Sequence, residues 1–408
     1  MLKNYFKIAI AVLKRRKFFT FISLFGISFT LTVLIVLTAF IDKVVGDDYP
    51  DKKRDRSLYI TSIEEIGKDS HSSSPPSYYF LNRYAASLKT PEKITLFSGF
   101  SGTNTYINNK KIAINYKYTD ANYWEILEYK FLEGKPYTRQ QIDNGERVAV
   151  ISADMKKEYF GDVASVVGKY IEADNIKYKV SGVVKNLPIT SYLLYSDIYL
   201  PFTVAKRDYK HKAYLGDCMA ILLAPSKRDV SKMHTEYEQV VSKVPMENGQ
   251  FTSIFSHASS YIEGYVDTGN EKSSGVTIAL SVIGGFVFLF MLLPTLNLVN
   301  INITRIMERS SEIGVRKAFG ASSRTLVYQF IVENIILTLL GGLIGIVLSL
   351  IALYLINNAN LIPNLDLTIN FTVLFCGLLV CLIFGLLSGV YPAWRMSKLN
   401  VVTALKAQ

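Results

Sequence analysis

The stretch 305–322 reads Arg-Ile-Met-Glu-Arg-Ser-Ser-Glu-Ile-Gly-Val-Arg-Lys-Ala-Phe-Gly-Ala-Ser. It mixes charge with small residues, which suits docking better than catalysis. Glu312 and Arg316 form an i,i+4 pair in the favourable order on a helix. Gly314 lets another backbone approach closely, and Lys317 and Ala318 continue the turn. Gly320 can supply a left-handed stop, after which Ser322 or Ser323 can cap the next helix. Ile306, Ile313 and Phe319 give the segment an apolar edge. Two readings stand side by side: a short docking helix, or a basic, solvated loop held on one side of a membrane by its charge.

Glu333 is the other residue singled out, as the one carboxylate inside a long apolar run. An ionisable group in such a place defaults to a functional reading as an intramembrane polar site. It lies about two turns from the end of its run, so pairing with a basic residue of the docking segment weighs as much as a relay. Elsewhere the chain offers little chemistry. His71, His211, His234 and His257 are scattered, with no metal-ligand spacing. His234 and Glu236 read as a solvated helix face. No G-x-S-x-G elbow and no G-x-x-x-x-G-K-[ST] occur, and the Gly-Lys pairs at Gly67, Gly134 and Gly168 lack the upstream glycine. The residues predict no enzyme and no cofactor or metal in this chain. Any ATP and Mg would be used by a partner.

The elements that would position these residues are apolar runs. Segments 18–41, 276–301 and 371–394 contain no charged residue, and 325–356 contains only Glu333. Each exceeds the roughly 20 residues needed to cross a hydrocarbon core. Basic residues fix the orientation. The segments 1–17, 302–324 and 395–408 together hold fourteen Lys and Arg against two Glu, whereas 357–370 holds no Lys or Arg. The net charge of +11 therefore reports topology rather than nucleic-acid binding. The expected organisation is a multi-pass protein of the bacterial cytoplasmic (inner) membrane, with both termini cytoplasmic. Residues 1–17 would form an amphipathic helix on membrane lipid. Spans at 18–41, 276–301, 325–356 and 371–394 follow, with a cytoplasmic coupling loop at 302–324, a short outer connection at 357–370 and a tail at 395–408. Residues 42–275 form a large extracytoplasmic domain between the first and second spans. The glycines Gly341, Gly342 and Gly345, and Gly284 with Gly285, suit close helix packing, and Pro294, Asn297 and Asn300 suit a bend.

Within 42–275, strand and helix signals alternate, predicting an α+β fold. Residues 51–56 read as a solvated stalk. A helix is expected over 76–88 and a hairpin over 105–118, turning at Asn108-Asn109. Val148 to Ile151 should be a strand, Ser152 a cap for a helix to Tyr159, and Gly161 its stop. Strands at 170–171 and 178–184 flank an Ala-Asp-Asn turn. Further strands are expected at 197–202 and 219–223, and Ser226 to Asp229 reads as a capping box for a helix to about Val244.

The sequence Glu312-Ile-Gly314-Val-Arg316-Lys317-Ala318-Phe-Gly320-Ala, followed by Gln329-Phe330, resembles the signature of FtsX-like permeases, the membrane subunits of MacB-type ABC transporters. Gly389-Val-Tyr-Pro-Ala agrees at the end of the fourth span. Phe131-Leu-Glu-Gly134, Val150-Ile-Ser, Tyr159-Phe-Gly161-Asp and Val167-Gly168-Lys resemble that family's extracytoplasmic core domain. The resemblance implies a permease subunit without a fused ATPase, since about 17 residues precede the first span. Its partners would be a cytoplasmic ABC ATPase, a second permease copy as homodimer or related heterodimer, and a periplasmic adaptor. ATP hydrolysis would drive the outer domains as a mechanotransmission device, exporting or extracting a drug, peptide or lipoprotein. The alternative is a regulatory subunit that activates an extracytoplasmic partner such as a cell-wall hydrolase. The resemblance also favours the docking reading of 312–320, making Glu312, Gly314, Arg316, Lys317, Ala318 and Gly320 the ATPase-coupling residues.

The charge asymmetry gives a direct check. Ser73→Cys should react with an impermeant maleimide on intact cells, and Ser311→Cys only after permeabilisation; the reverse pattern would invert the topology.

Overall fold

A computed structural model describes residues 10–11, 14–15, 17–46, 49–107, 110–246, 251–266, 275–286, 288–289, 323–372, 374–375, 378–379 and 382–383. The chain divides into two compact units, one of residues 1–43, 281–361 and 366–408, the other of residues 44–280 and 362–365. The fold class stands as an α+β outer domain joined to apolar helices.

The first unit is helical. Helix α1 runs over Lys17–Val45 and helix α9 over Ser323–Ala359. Within them, Thr20–Lys43 and Ile331–Ala359 are long and apolar enough to cross a membrane. A shorter apolar helix, α8, spans Gly275–Phe286. The remainder of the second and fourth expected spans, the N-terminal amphipathic segment apart from residues 10–11, 14–15 and 17, and Pro294, Asn297 and Asn300 lie largely or wholly outside the described residues.

In the second unit, helices α2 (Tyr78–Tyr84), α3 (Tyr123–Ile126), α4 (Arg139–Asp143), α5 (Ala153–Phe160), α6 (Val230–Val241) and α7 (Tyr261–Tyr265) surround two sheets. Strands β2 (Ile63–Ile66), β3 (His71–Ser74) and β13 (Ser253–Phe255) form the small sheet, in the order β13-β2-β3. The large sheet runs β1 (Ser57–Ile60), β12 (Cys218–Leu223), β4 (Lys93–Ser98), β6 (Lys110–Thr119), β11 (Ile198–Pro201), β8 (Val148–Ser152), β10 (Ile176–Val184) and β7 (Phe131–Gly134). Strand β5 (Ser101–Ile107) adds to β6, and β9 (Tyr170–Ala173) to β10. The β6–β11 and β8–β10 pairs are parallel.

Side chains alternate across a strand, so a strand buried end to end must be covered on both faces. Strands β1, β8, β11 and β12 are buried throughout. Leu58, Ile60, Ala149, Ile151, Ala220 and Leu222 pack on one face, and Tyr59, Val148, Val150, Tyr199, Met219 and Ile221 on the other. The second face holds a polar layer. The hydroxyls of Tyr123, Tyr129 and Tyr199 lie 3.4, 3.2 and 3.1 Å from the Leu194 carbonyl. Two of them can donate to its two lone pairs while the third bonds a neighbouring hydroxyl. Beside them, Lys117 is fully buried, donates to the Leu193 carbonyl, and holds its Nζ 5.2 Å from the Phe97 ring centre.

Local signals correspond closely to local structure. Ser77 caps α2, Ser152 caps α5 and Gly161 ends it at φ 72°. Asp174 and Asn175, at φ 51° and 60°, turn β9 into β10. Strands β5 and β6 pair as a hairpin in the register Tyr106↔Lys111, with Asn108 and Asn109 outside the described residues. Two expectations are corrected. Residues 51–56 are not a solvated stalk: Asp51 is 1% exposed, accepts from Tyr59 and Arg54, and the Arg54 guanidinium lies 3.6 Å from the Tyr261 ring centre. A run of alternating charge looks the same whether water or a distant aromatic ring covers it. Nor is Ser226 a capping box, since its hydroxyl bonds the Asp229 side chain and a 3-10 turn precedes α6. Capping boxes form instead at Thr138 with Gln141 and at Ser260 with Glu263.

Burial pushes Lys117 down from 10.5 to about 7. Between those values the unfolded chain holds a proton that the folded one lacks, so folding stability rises with pH across that window. Below pH 7 the slope vanishes while the cost persists. Lys117→Met should raise the apparent Tm at pH 7, at roughly 2–4 °C per kcal/mol for a unit of this size. It should flatten the rise between pH 7 and 10 seen by differential scanning fluorimetry. An unchanged pH slope in the variant would show that Lys117 is not the titrating group.

Candidate functional site

In the first unit the residues of interest sit along α1 and α9. Gly341 and Gly345 are one turn apart, and neither has room for a side chain. A Cβ on Gly341 would lie 2.8 Å from Ile27 Cβ, and one on Gly345 would lie 2.9 Å from Leu31 Cβ. The two glycines therefore form a notch that receives α1, the close packing that small residues permit between helices in lipid. Thr32 Oγ1, 2.8 Å from the Ser28 carbonyl of its own helix, also comes within 3.3 Å of the Gly345 carbonyl across the notch, and Ser349 donates to the Gly345 oxygen at 2.6 Å. Gly342 faces Leu378, whose Cδ2 lies 2.6 Å from its built Cβ. Gly284 and Gly285 meet nothing within 4 Å among the described residues. Away from the notch, α1 exposes a ladder of Phe21, Phe25 and Phe29, stacked at centroid distances of 6.2 and 5.7 Å. Such an apolar outer face suits hydrocarbon.

Glu333 lies in α9 and is 1% exposed, one turn before the buried pair Ile336 and Leu337, against which Leu24 packs. Glu312, Gly314, Arg316, Lys317, Ala318 and Gly320 lie outside the described residues, as does the basic segment expected to pair with Glu333.

Three clefts of the second unit are lined by polar and titratable side chains. The widest, about 620 Å³, is lined by Tyr78, Asn82, Lys93, Asp120, Asn122 and Arg139, among others. Asp120 accepts from Thr95 Oγ1 at 2.6 Å and from the Leu96 and Tyr123 amides at 2.9 Å each. Burial raises it to about 6 despite those donors and the nearby Arg139. These bonds occupy the carboxylate in holding β4 to α3, so it serves the fold. A smaller cleft of about 110 Å³ contains Cys218, His211 and Asp217. Burial pushes the Cys218 thiol up to about 12, which keeps it unreactive. Among the described residues, no group of three or more His, Cys, Asp or Glu could hold a metal ion.

The third cleft, about 300 Å³, has an unexpected wall. Residues 362–365 belong to this unit. Asn364, at φ 63°, donates to Asp154 Oδ2 at 2.7 Å and accepts from Asn186 Nδ2 at 3.1 Å. The sequence predicts only a short connection over 357–370. An Asn in a polar loop is the only signal it offers, and its two partners lie 210 and 178 residues away.

Two family models match the chain: the MacB-like periplasmic core domain over residues 20–239 and the FtsX-like permease C-terminal over residues 284–401. The chain is 26% identical over 365 residues to an uncharacterized ABC transporter permease, YknZ, of Bacillus subtilis, covering 85% of this chain and 84% of that protein. It is 26% identical over 291 residues to the pyoverdine export ATP-binding/permease protein PvdT of Pseudomonas fluorescens. That match covers 71% of this chain but only 42% of PvdT, so the chain spans less than half of that relative. Among solved structures, the periplasmic region of MacB from Actinobacillus actinomycetemcomitans is 14% identical with a TM-score of 0.37, covering 52% of this chain and 93% of that one.

The helix notch provides the check on the first unit. A cysteine pair at Ile27 and Gly341 should close a disulfide under mild oxidation, since the two Cβ positions lie 2.8 Å apart and need open by only about 1 Å to reach disulfide geometry. Adding Gly345→Leu should suppress that crosslink by driving the helices apart. Equal crosslinking with and without the leucine would mean that the glycine notch does not set their distance.

Proposed function

Because the chain belongs to the family of permeases built from a MacB-like periplasmic core domain and an FtsX-like C-terminal part, we propose that it is the permease subunit of an ABC transporter. A cytoplasmic ATPase partner hydrolyses ATP with Mg, and its closure moves the coupling residues Glu312 to Gly320. The spans convey that motion to the outer unit of each permease copy in a dimer. The substrate, a drug, peptide or lipoprotein, is driven onward from outside the membrane.

The observation that carries this reading is the joint match of both family models, in order, along one chain. The helix pair adds support. A lever must not slide, and a glycine notch filled by Ile27 and Leu31 is a packing that resists sliding because interiors deform in discrete steps. The described spans also support a lever more than a conduit: their serines and threonines largely bond carbonyls of their own helix, as Thr30 does to Gly26 and Thr38 to Leu34.

The coupling residues are testable directly. Gly314→Trp should block docking by bulk. Arg316→Glu should weaken it by reversing a charge in a partly desolvated contact, where truncating one partner costs roughly 2–5 kcal/mol. Both variants should express and insert normally yet fail to retain the ATPase on co-purification in mild detergent. Full retention by both, with undiminished transport-linked ATPase activity, would reduce 312–320 to a topological anchor.

A further inference from the structure

Three side chains of the outer unit stand out because they are large, apolar and turned to the outside: Phe100 at 36%, Ile189 at 54% and Tyr192 at 51% exposed. They are not scattered. The rings of Phe100 and Tyr192 meet edge to face with centroids 5.6 Å apart. Ile189 and Tyr192 belong to the loop between β10 and β11, whose other half turns inward: Leu193 and Leu194 are buried. The loop is tightly wound, with Ser191 N bonded to Pro188 O and Leu194 N to Ser191 O, both at 2.9 Å. Lys117 and the three tyrosines pin the Leu193 and Leu194 carbonyls from below. A loop held this firmly cannot turn its apolar side chains inward. Leaving them in water costs roughly 25 cal/mol for each Å² exposed.

What covers them follows from two tethers. Tyr49 donates to the Lys185 carbonyl at 3.1 Å and accepts from the Lys130 amide at 3.3 Å. It stands six residues beyond Lys43, where the apolar stretch Thr20–Lys43 ends, so it lies within roughly 20 Å of that end. Asn364 bonds Asn186 and Asp154. It stands five residues beyond Ala359, where the apolar stretch Ile331–Ala359 ends, a reach of roughly 17 Å. The segments that follow two different apolar helices are thus tied to adjacent residues, Lys185 and Asn186, at the root of this loop. Ile189 lines the same cleft as Pro363 and Asn364. Leu361, two residues before Pro363, is itself 78% exposed.

We infer that the β10–β11 loop, with Ile189, Tyr192 and the neighbouring Phe100, rests on the membrane surface and sinks these side chains into the boundary between headgroups and acyl chains. Aromatic residues of this kind are enriched at that level. The charge nearby is mixed, with exposed Lys130 and Lys185 beside Asp154 and Glu158. The attachment is therefore apolar, holds in neutral lipid and is insensitive to salt. In working terms, the loop is the bearing on which the outer unit meets the bilayer. The inference rests on the reading that α1 and α9 cross the membrane.

The test uses the full chain with its native cysteines replaced, reconstituted into phosphatidylcholine vesicles. Single cysteines at Ile189, Tyr192, Leu348 and Ala86 each carry an environment-sensitive nitrobenzoxadiazole label. Leu348 lies in α9. Ala86 shares a cleft with Lys93, at the opposite end of β4 from Phe100. Doxyl-labelled lipids quench from shallow or deep positions. The labels at Ile189 and Tyr192 should emit at shorter wavelength than the one at Ala86. Shallow doxyl should quench them at least about twofold more than deep doxyl, in low and high salt alike. Leu348 should respond to deep doxyl and Ala86 to neither. If Leu348 is quenched while Ile189 and Tyr192 behave like Ala86, the loop does not touch lipid and the inference falls, with the spanning reading intact. Shielding of the loop labels from aqueous iodide without lipid quenching would point to a protein partner and equally overturn it. If Leu348 itself escapes quenching, the spanning reading fails and takes this inference with it.

Discussion

The carbonyls of Leu193 and Leu194 are the point at which the second unit is held together across its polar side. Four buried donors, from Lys117, Tyr123, Tyr129 and Tyr199, converge on those two oxygens. They come from β6, α3, the segment before β7, and β11, and removing the loop would strip the acceptor from Lys117 and from the two hydroxyls that donate to Leu194, the third being held by a neighbouring hydroxyl. A buried donor without an acceptor costs about 1–3 kcal/mol. That penalty, more than the strength of any one bond, fixes where the loop must lie. The lysine is the weak member, since burial also depresses its proton affinity. What the loop carries on its outside is therefore presented in one orientation.

The first unit obeys a different constraint. Two helices in hydrocarbon gain nothing from the hydrophobic effect when they meet, so contact depends on how closely the backbones approach. Gly341 and Gly345 permit that approach, and Ile27 and Leu31 fill the space. A hydroxyl, that of Thr32, then reaches the Gly345 carbonyl on the neighbouring helix. The same small residues in water would only loosen a helix, by about 1 kcal/mol each relative to alanine. The two units thus rely on separate principles, polar saturation in one and backbone proximity in the other, and each is suited to its own solvent.

Much of this was legible in advance where a signal is local. Two apolar helices, the cap at Ser152, the stop at Gly161 and the turn at Asp174-Asn175 each depend on contiguous residues. The alternation of strand and helix signals was enough to read an α+β domain. The charged run 51–56 was misread because its burial is decided by Tyr59 and Tyr261, and Tyr261 is about two hundred residues away. Ser226 was misread because a serine hydroxyl can accept from a helix-end amide or donate to a carboxylate, a choice made by geometry that the spacing S-x-x-D leaves open.

By itself, the sequence determined which stretches are apolar enough to cross a bilayer and which family the chain resembles, because hydropathy and a contiguous motif are sums over neighbouring residues. Only the tertiary structure decided that Lys117 is a core residue, that Gly345 is a notch and Gly284 has no close neighbour among the described residues, and that Asn364 belongs with Asp154 and Asn186. Each of these depends on a partner brought near by a crossover or a helix crossing. The free energy of such a meeting is spread over the whole fold, so no window of the sequence contains it.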